Sequence, residues 1–118
     1  MARKNTVSIV GAGLMGSGIA ARSVLAGHPT VLIDPSANAA AAGSARAMQN
    51  IAQLPENGLV DDAQGDQAQT LLTTETEVRR IPADTFLVIE AITEKLALKQ
   101  ALFQQLDDLL PPDVMINQ

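Results

Sequence analysis

Three short runs in this 118-residue chain hold residue types whose spacing could do chemistry. The first is Gly11-Ala12-Gly13-Leu14-Met15-Gly16, a G-x-G-x-x-G pattern. Its chemistry is anion binding rather than bond making. Gly11 permits a tight turn, Gly13 has no Cβ to keep a diphosphate away from the backbone, and Gly16 lets a following helix pack close to the preceding strand. The N–H groups at the helix start, those of Leu14 and Met15, then face the phosphates, and the helix dipole favours negative charge there. Alone the pattern is weak, because a glycine-rich bend can form with no ligand. Asp34 adds the second element: an acidic residue about 20 residues further on, at the end of the next β-rich run. Its carboxylate can accept hydrogen bonds from both hydroxyls of an adenosine ribose and would repel a 2′-phosphate. No Arg or Lys follows it closely, so NAD is expected over NADP. The competing use of Asp34 is as a cap for the helix after Pro35.

The third run is Glu90-Ala91-Ile92-Thr93-Glu94-Lys95-Leu96-Ala97-Leu98-Lys99. Glu94 would open a helix where a ribose could be held, and Lys99 could balance a diphosphate or pair with a carboxylate. An ordinary reading stands beside this one: glutamate early in a helix complements the dipole, and mixed Glu and Lys are common on solvated faces. His28, the only histidine, follows Gly27 in a turn and is expected to be structural. Glu56, Asp61 and Asp62 have no histidine near them and suit a solvated loop better than a metal site.

The elements that must position these runs alternate. Val7–Val10 reads as a buried strand, Leu14–Ala26 as an Ala-rich helix closed by Gly27, and Thr30–Ile33 as a second strand. A helix fits Ser36 to about Leu54, with Ser36 as N-cap and an apolar stripe through Ala37, Ala41, Met48 and Ile51. Pro55–Gly58 is a turn, Asp61 to about Leu72 a weaker helix, and Thr73–Val78 a short strand. Asp84–Glu90 is a clear strand around Phe86-Leu87-Val88-Ile89. Glu94–Leu110 is amphipathic, with Leu102, Phe103, Leu106, Leu109 and Leu110 on one side, and Pro111-Pro112 ends it before a last strand at Val114–Ile116. Such alternation predicts an α/β fold of Rossmann type, a doubly wound and mainly parallel sheet, with a helical insertion over about 36–72. A complete six-strand dinucleotide domain needs more chain, so residues 1–118 are expected to form a truncated single domain.

Composition narrows the function classes. Hydrophobic residues make up 47% and aromatics 2%, so the core must come from Ala, Val, Leu and Ile. A net charge of −5 with scattered Lys and Arg argues against nucleic acid as a partner. The absence of cysteine excludes disulfides and thiolate metal sites and fits a reducing compartment. Arg3 and Lys4 before an apolar stretch superficially resemble a signal peptide, but four glycines between Gly11 and Gly18 make a poor apolar core for one. No stretch is long enough to span a bilayer. The expectation is a cytoplasmic protein with no membrane partner.

Taken together, VSIVGAGLMGSGIAARSVLAGH, VLID and VIEAITEKLALKQALFQQLD resemble the N-terminal domain of the L-3-hydroxyacyl-CoA dehydrogenases over nearly the whole chain. The first run is shared with 6-phosphogluconate and 3-hydroxyisobutyrate dehydrogenases. The pattern EAxxExxxxK followed by LF and LD is more specific. The resemblance implies that the glycine turn and Asp34 hold the adenosine diphosphate part of NAD, and that Ala91, Glu94 and Lys99 also contact the cofactor. It implies that Ser36–Leu72 matches a projecting helical pair that helps hold coenzyme A, with Asn50 and Asn57 near the positions that touch it. Asn57 stands where the family often has Lys, so a phosphate-binding charge is missing there. The implied reaction is hydride transfer between an acyl-CoA substrate, a 3-hydroxyacyl-CoA, and NAD. A His–Glu pair would act as base, and that pair and its Ser and Asn helpers would lie beyond residue 118. The C-terminal catalytic and dimerisation domain is therefore expected to be absent. An unpaired last strand would then favour a homo-oligomer. Two other readings stay open: a stand-alone nucleotide-sensing module, and a fragment of a carnitine-type or 3-hydroxyisobutyrate-type dehydrogenase.

Overall fold

The computed structural model describes residues 4–53, 62–92 and 96–117. Thr6–Val10 (β1) is buried along its whole length, as a strand covered on both faces must be. It is followed by α1 (Leu14–Leu25), β2 (Thr30–Ile33), α2 (Ala37–Gln53), α3 (Asp62–Gln69), β3 (Leu72–Glu75), a 3₁₀ turn at Val78–Arg80, β4 (Thr85–Glu90), α4 (Leu96–Leu109) and β5 (Met115–Asn117). All four strand pairings are parallel, and the order across the sheet is β3-β2-β1-β4-β5. The doubly wound expectation is met: strand order reverses between β1 and β4, where sheets of this kind open a crevice.

Neighbouring residues of each strand point to opposite faces. Ile9 and Leu32 pack with Ala20, Val24, Ala47 and Ile51 on the side of α1 and α2. Val10, Ile33 and Val88 pack with Leu102 and Leu106 of α4. The largest fully buried side chains are aliphatic, as the scarcity of aromatics requires. Where Ser8 and Thr85 meet inside the sheet, their hydroxyls bond each other at 2.9 Å, so neither is left unsatisfied.

Three local readings need correction. The buried face of α2 is Ala40, Gly43, Ala47 and Ile51, whereas Ala37 and Ala41 are exposed. Five of the six residues from Ala37 to Ala42 are alanine and carry no apolar period, so the stripe could not be phased from them. The third strand begins one residue early and ends at Glu75, while Val78 enters the 3₁₀ turn and packs beside Val10. Glu75 closes that strand by accepting the N–H groups of Thr76 and Glu77, which hold its carboxyl below the usual range. Leu109 faces solvent and is not part of the α4 core stripe. The Pro55–Gly58 turn lies outside the described residues.

Candidate functional site

Register builds the site. Val10 sits level with Ile33 on one side and with Glu90 on the other. The next residue of each strand, Gly11, Asp34 and Ala91, therefore emerges at the same carboxyl edge. The ladder continues past the strands: the N–H of Gly11 donates to the Ile33 carbonyl at 2.7 Å, that of Ala91 to Val10 at 2.8 Å, and that of Asp34 to Glu75 at 3.1 Å.

Each glycine of the turn has a separate physical cause. Gly11 has φ 111, where L side chains rarely go, and a Cβ on it would also lie 2.9 Å from the Ala91 carbonyl carbon. A Cβ on Gly16 would run into the Gly11 carbonyl oxygen. Gly16 thus acts by packing and does not line the cavity. Gly13 is the opposite case, with nothing within 4 Å of a Cβ position. It is the N-cap of α1 and supplies no side-chain cap, so the first N–H groups of the helix keep their donors free of any such bond. Leu14 is 78% exposed and Met15 60%, an apolar rim around those donors.

Asp34 has a double attachment. One carboxylate oxygen accepts the Ala12 N–H at 3.1 Å and the other accepts the Ser36 N–H at 3.0 Å. The helix cap itself is Ser36, whose Oγ accepts the Ala39 N–H at 3.1 Å. Asp34 therefore ties the glycine turn to the start of α2 rather than capping it. Each of its oxygens still has a lone pair for a ligand hydroxyl.

These groups line one cavity of about 990 Å³, which Gly11, Gly13, Leu14, Met15, Asp34 and Ala91 enter. Space that a Cβ on Gly13 would occupy, free helix-start donors and a carboxylate beside them fit the diphosphate and ribose of a dinucleotide. Asn50 is half-buried on α2 and does not line this cavity. Glu94 and Asn57 lie outside the described residues, as does the side chain of Lys99, whose backbone is in α4. His28 stands at the opposite edge of the sheet, its Nδ1 3.1 Å from the Asn5 carbonyl and its ring 5.3 Å from that of Phe86, a structural placement. Among the described residues no cluster of His, Cys, Asp and Glu could hold a metal. None of the helices described is long and apolar enough to cross a membrane.

Two residues of the site escaped the sequence reading. Gly43 brings α2 against the turn, because a Cβ there would lie 2.6 Å from the Ala12 carbonyl oxygen and 2.9 Å from the Ala12 Cβ. Gly43→Ala should push α2 outward and destabilise the fold by about 1–3 kcal/mol, read as a lower denaturant midpoint at unchanged slope. An unchanged midpoint would show that the helices part without cost. Arg46, one turn further along α2, lines the same cavity. Neither is visible in sequence, since each matters only through a crossing with a segment some 30 residues away.

A crevice at the switch point of a parallel sheet, with this glycine turn, defines a dinucleotide-binding domain. Residues 6–118 match the family described as "3-hydroxyacyl-CoA dehydrogenase, NAD binding domain". The chain is 36% identical over 111 residues to a 3-hydroxybutyryl-CoA dehydrogenase of Mycobacterium tuberculosis, which covers 93% of this chain and 38% of that protein. It is 36% identical over 106 residues to the mitochondrial hydroxyacyl-coenzyme A dehydrogenase of Mus musculus, covering 86% and 34% respectively. The solved structure of M. tuberculosis FadB2 superposes with a TM-score of 0.87 at 35% identity, over 98% of this chain and 40% of that one. That of (S)-3-hydroxybutyryl-CoA dehydrogenase from Ralstonia eutropha gives 0.85 at 33%, over 95% and 39%. The chain belongs to the family of NAD-binding domains of 3-hydroxyacyl-CoA dehydrogenases, and its cofactor is NAD. It spans well under half the length of the curated relatives it matches.

Proposed function

We propose that this chain holds NAD for a dehydrogenase that interconverts an L-3-hydroxyacyl-CoA and the 3-oxoacyl-CoA, a reaction of fatty-acid metabolism. The observation that carries the proposal is the level placement of Gly11, Asp34 and Ala91 at one sheet edge, around a cavity that the bare Gly13 backbone faces. In this reading the N–H groups of Leu14 and Met15 donate to the diphosphate. Asp34 accepts the two hydroxyls of the adenosine ribose, which selects NAD over NADP. Ala91, which lines the cavity at the end of β4, contacts the cofactor, and Glu94 and Lys99 make further cofactor contacts. Asn50 and Asn57 belong to the same proposal as contacts for coenzyme A. When bound, NAD accepts or returns a hydride at its nicotinamide ring. The residues of this chain position the dinucleotide and exclude water from its diphosphate.

Two finer points are part of the same reading. The location is cytoplasmic, although the relatives include mitochondrial proteins. Copies of the chain associate through the β5 side of the sheet, where Met115 is 58% and Leu109 42% exposed. A single monomeric boundary in sedimentation velocity would contradict that association.

The test is a set of equilibrium titrations with NADH, NADPH and ATP. The proposal expects NADH to bind at least tenfold more tightly than either of the others. ATP binding with NADH silent would favour a nucleotide-sensing module instead.

A further inference from the structure

One face of α2 is turned to the cavity through Ala39, Ala42 and Arg46, three residues at helical spacing. The two alanines leave room, and the arginine ends the opening. Arg46 is half-buried, and its Nη1 donates to the Ser17 Oγ at 3.2 Å. Ser17 is wholly buried in the first turn of α1, and its own Oγ donates to the Gly13 carbonyl at 2.7 Å. The guanidinium is thus seated beside the start of α1, held there by the close approach at Gly43.

This is a costly place for an unpaired cation. A guanidinium stays charged at any working pH and carries five donors. The amino end of a helix adds positive potential of its own. Among the described residues the ion pairs are Lys4 with Asp113 and both Arg79 and Arg80 with Glu77. The only bond of Arg46 there is to a neutral hydroxyl. Asp34 lines the same cavity but gives its oxygens to backbone N–H groups. A cation seated beside a helix start and lining an open cavity, in a chain of net charge −5, is poised for an anion that arrives from solvent.

We propose that Arg46 is a phosphate-binding residue of this cavity, giving a charged hydrogen bond to a phosphate ester of the ligand held against the glycine turn. The inference rests on the reading of the cavity as the dinucleotide site. Two ligands present that chemistry: NAD through its diphosphate and coenzyme A through its phosphates. In the second case Arg46 supplies from α2 the charge that Asn57 does not.

The experiment uses the 118-residue chain and two variants, Arg46→Gln and Arg46→Met, the latter keeping the aliphatic stem packed. Binding of NADH, coenzyme A and phosphate-free adenosine is measured by calorimetry at two salt concentrations, with thermal melts alongside. We expect either variant to bind one phosphate-bearing ligand roughly tenfold more weakly, with a shallower salt dependence and adenosine unaffected. Weakened NADH assigns Arg46 to the dinucleotide. Weakened coenzyme A with NADH unchanged assigns it to the acyl carrier. The inference is overturned if both variants bind NADH as the parent does and coenzyme A is unaffected or does not bind, or if adenosine weakens by the same factor. A parent chain silent to NADH refutes the reading of the site itself, a distinct outcome.

Discussion

Gly16→Ala is expected to destabilise the fold by about 3 kcal/mol or more and to abolish NADH binding within the measurable range. The added Cβ would collide with the carbonyl oxygen of Gly11, a backbone atom that no rotamer change can move aside. Relief requires α1 to lift away from β1, or the turn at Gly11 to open. Gly11 has little room to yield: its N–H is bonded to Ile33 and its Cα faces the Ala91 carbonyl. Either movement displaces the N–H groups of Leu14 and Met15 from the sheet edge. Melting should fall by roughly 10 °C or more for a domain of this size. Gly13→Ala is the internal control. Its Cβ meets open space in the protein alone, so stability should barely change while dinucleotide affinity drops. Equal stability in Gly16→Ala and the parent would show that the turn is not packed as described.

Asp34→Ala should weaken NADH by roughly 100-fold, as two hydrogen bonds to a carboxylate are lost at about 1.5 kcal/mol or more each. NADPH, which the carboxylate repels, should lose far less, so the ratio of the two affinities moves toward one. The Ala12 and Ser36 N–H groups would also lose their acceptor, which adds a structural cost of about 1–3 kcal/mol for the donor of the buried Ala12. Asp34→Asn separates the two effects. Its remaining carbonyl oxygen can serve one backbone donor, so it should recover part of the stability, while its amide N–H₂ cannot accept a ribose hydroxyl. A ratio of NADH to NADPH affinity unchanged in both variants would remove Asp34 from sugar recognition.

What could be read in advance follows from the range of the interactions. The glycine turn and Asp34 lie on chain segments whose apolar runs are unmistakable, and Thr30–Ile33 begins and ends where Gly27 and Pro35 require. The parallel sheet follows from their alternation, and the register from the need to bury both faces of β1. The residues that sequence did not expose act across crossings. Gly43 is one glycine among eight until α2 is laid against Ala12. Arg46 reads as a solvated helix charge until the same contact brings it to Ser17. The alanine run of α2 has no period of its own, so its buried face is chosen by the fit of Gly43 and Ala47 rather than by hydrophobicity. The third strand is mostly polar and lies at an edge, which blurs its ends.

Amide chemical shifts during titration with NADH give the most direct reading of the central idea, that free backbone donors at the start of α1 take hold of a diphosphate. The account requires the largest changes at Gly13, Leu14 and Met15, with Ala12 and Ser36 responding as the Asp34 carboxylate turns toward the sugar. Saturation by NADH that leaves those five amides unmoved, or that shifts only residues at the opposite edge near His28, would contradict it.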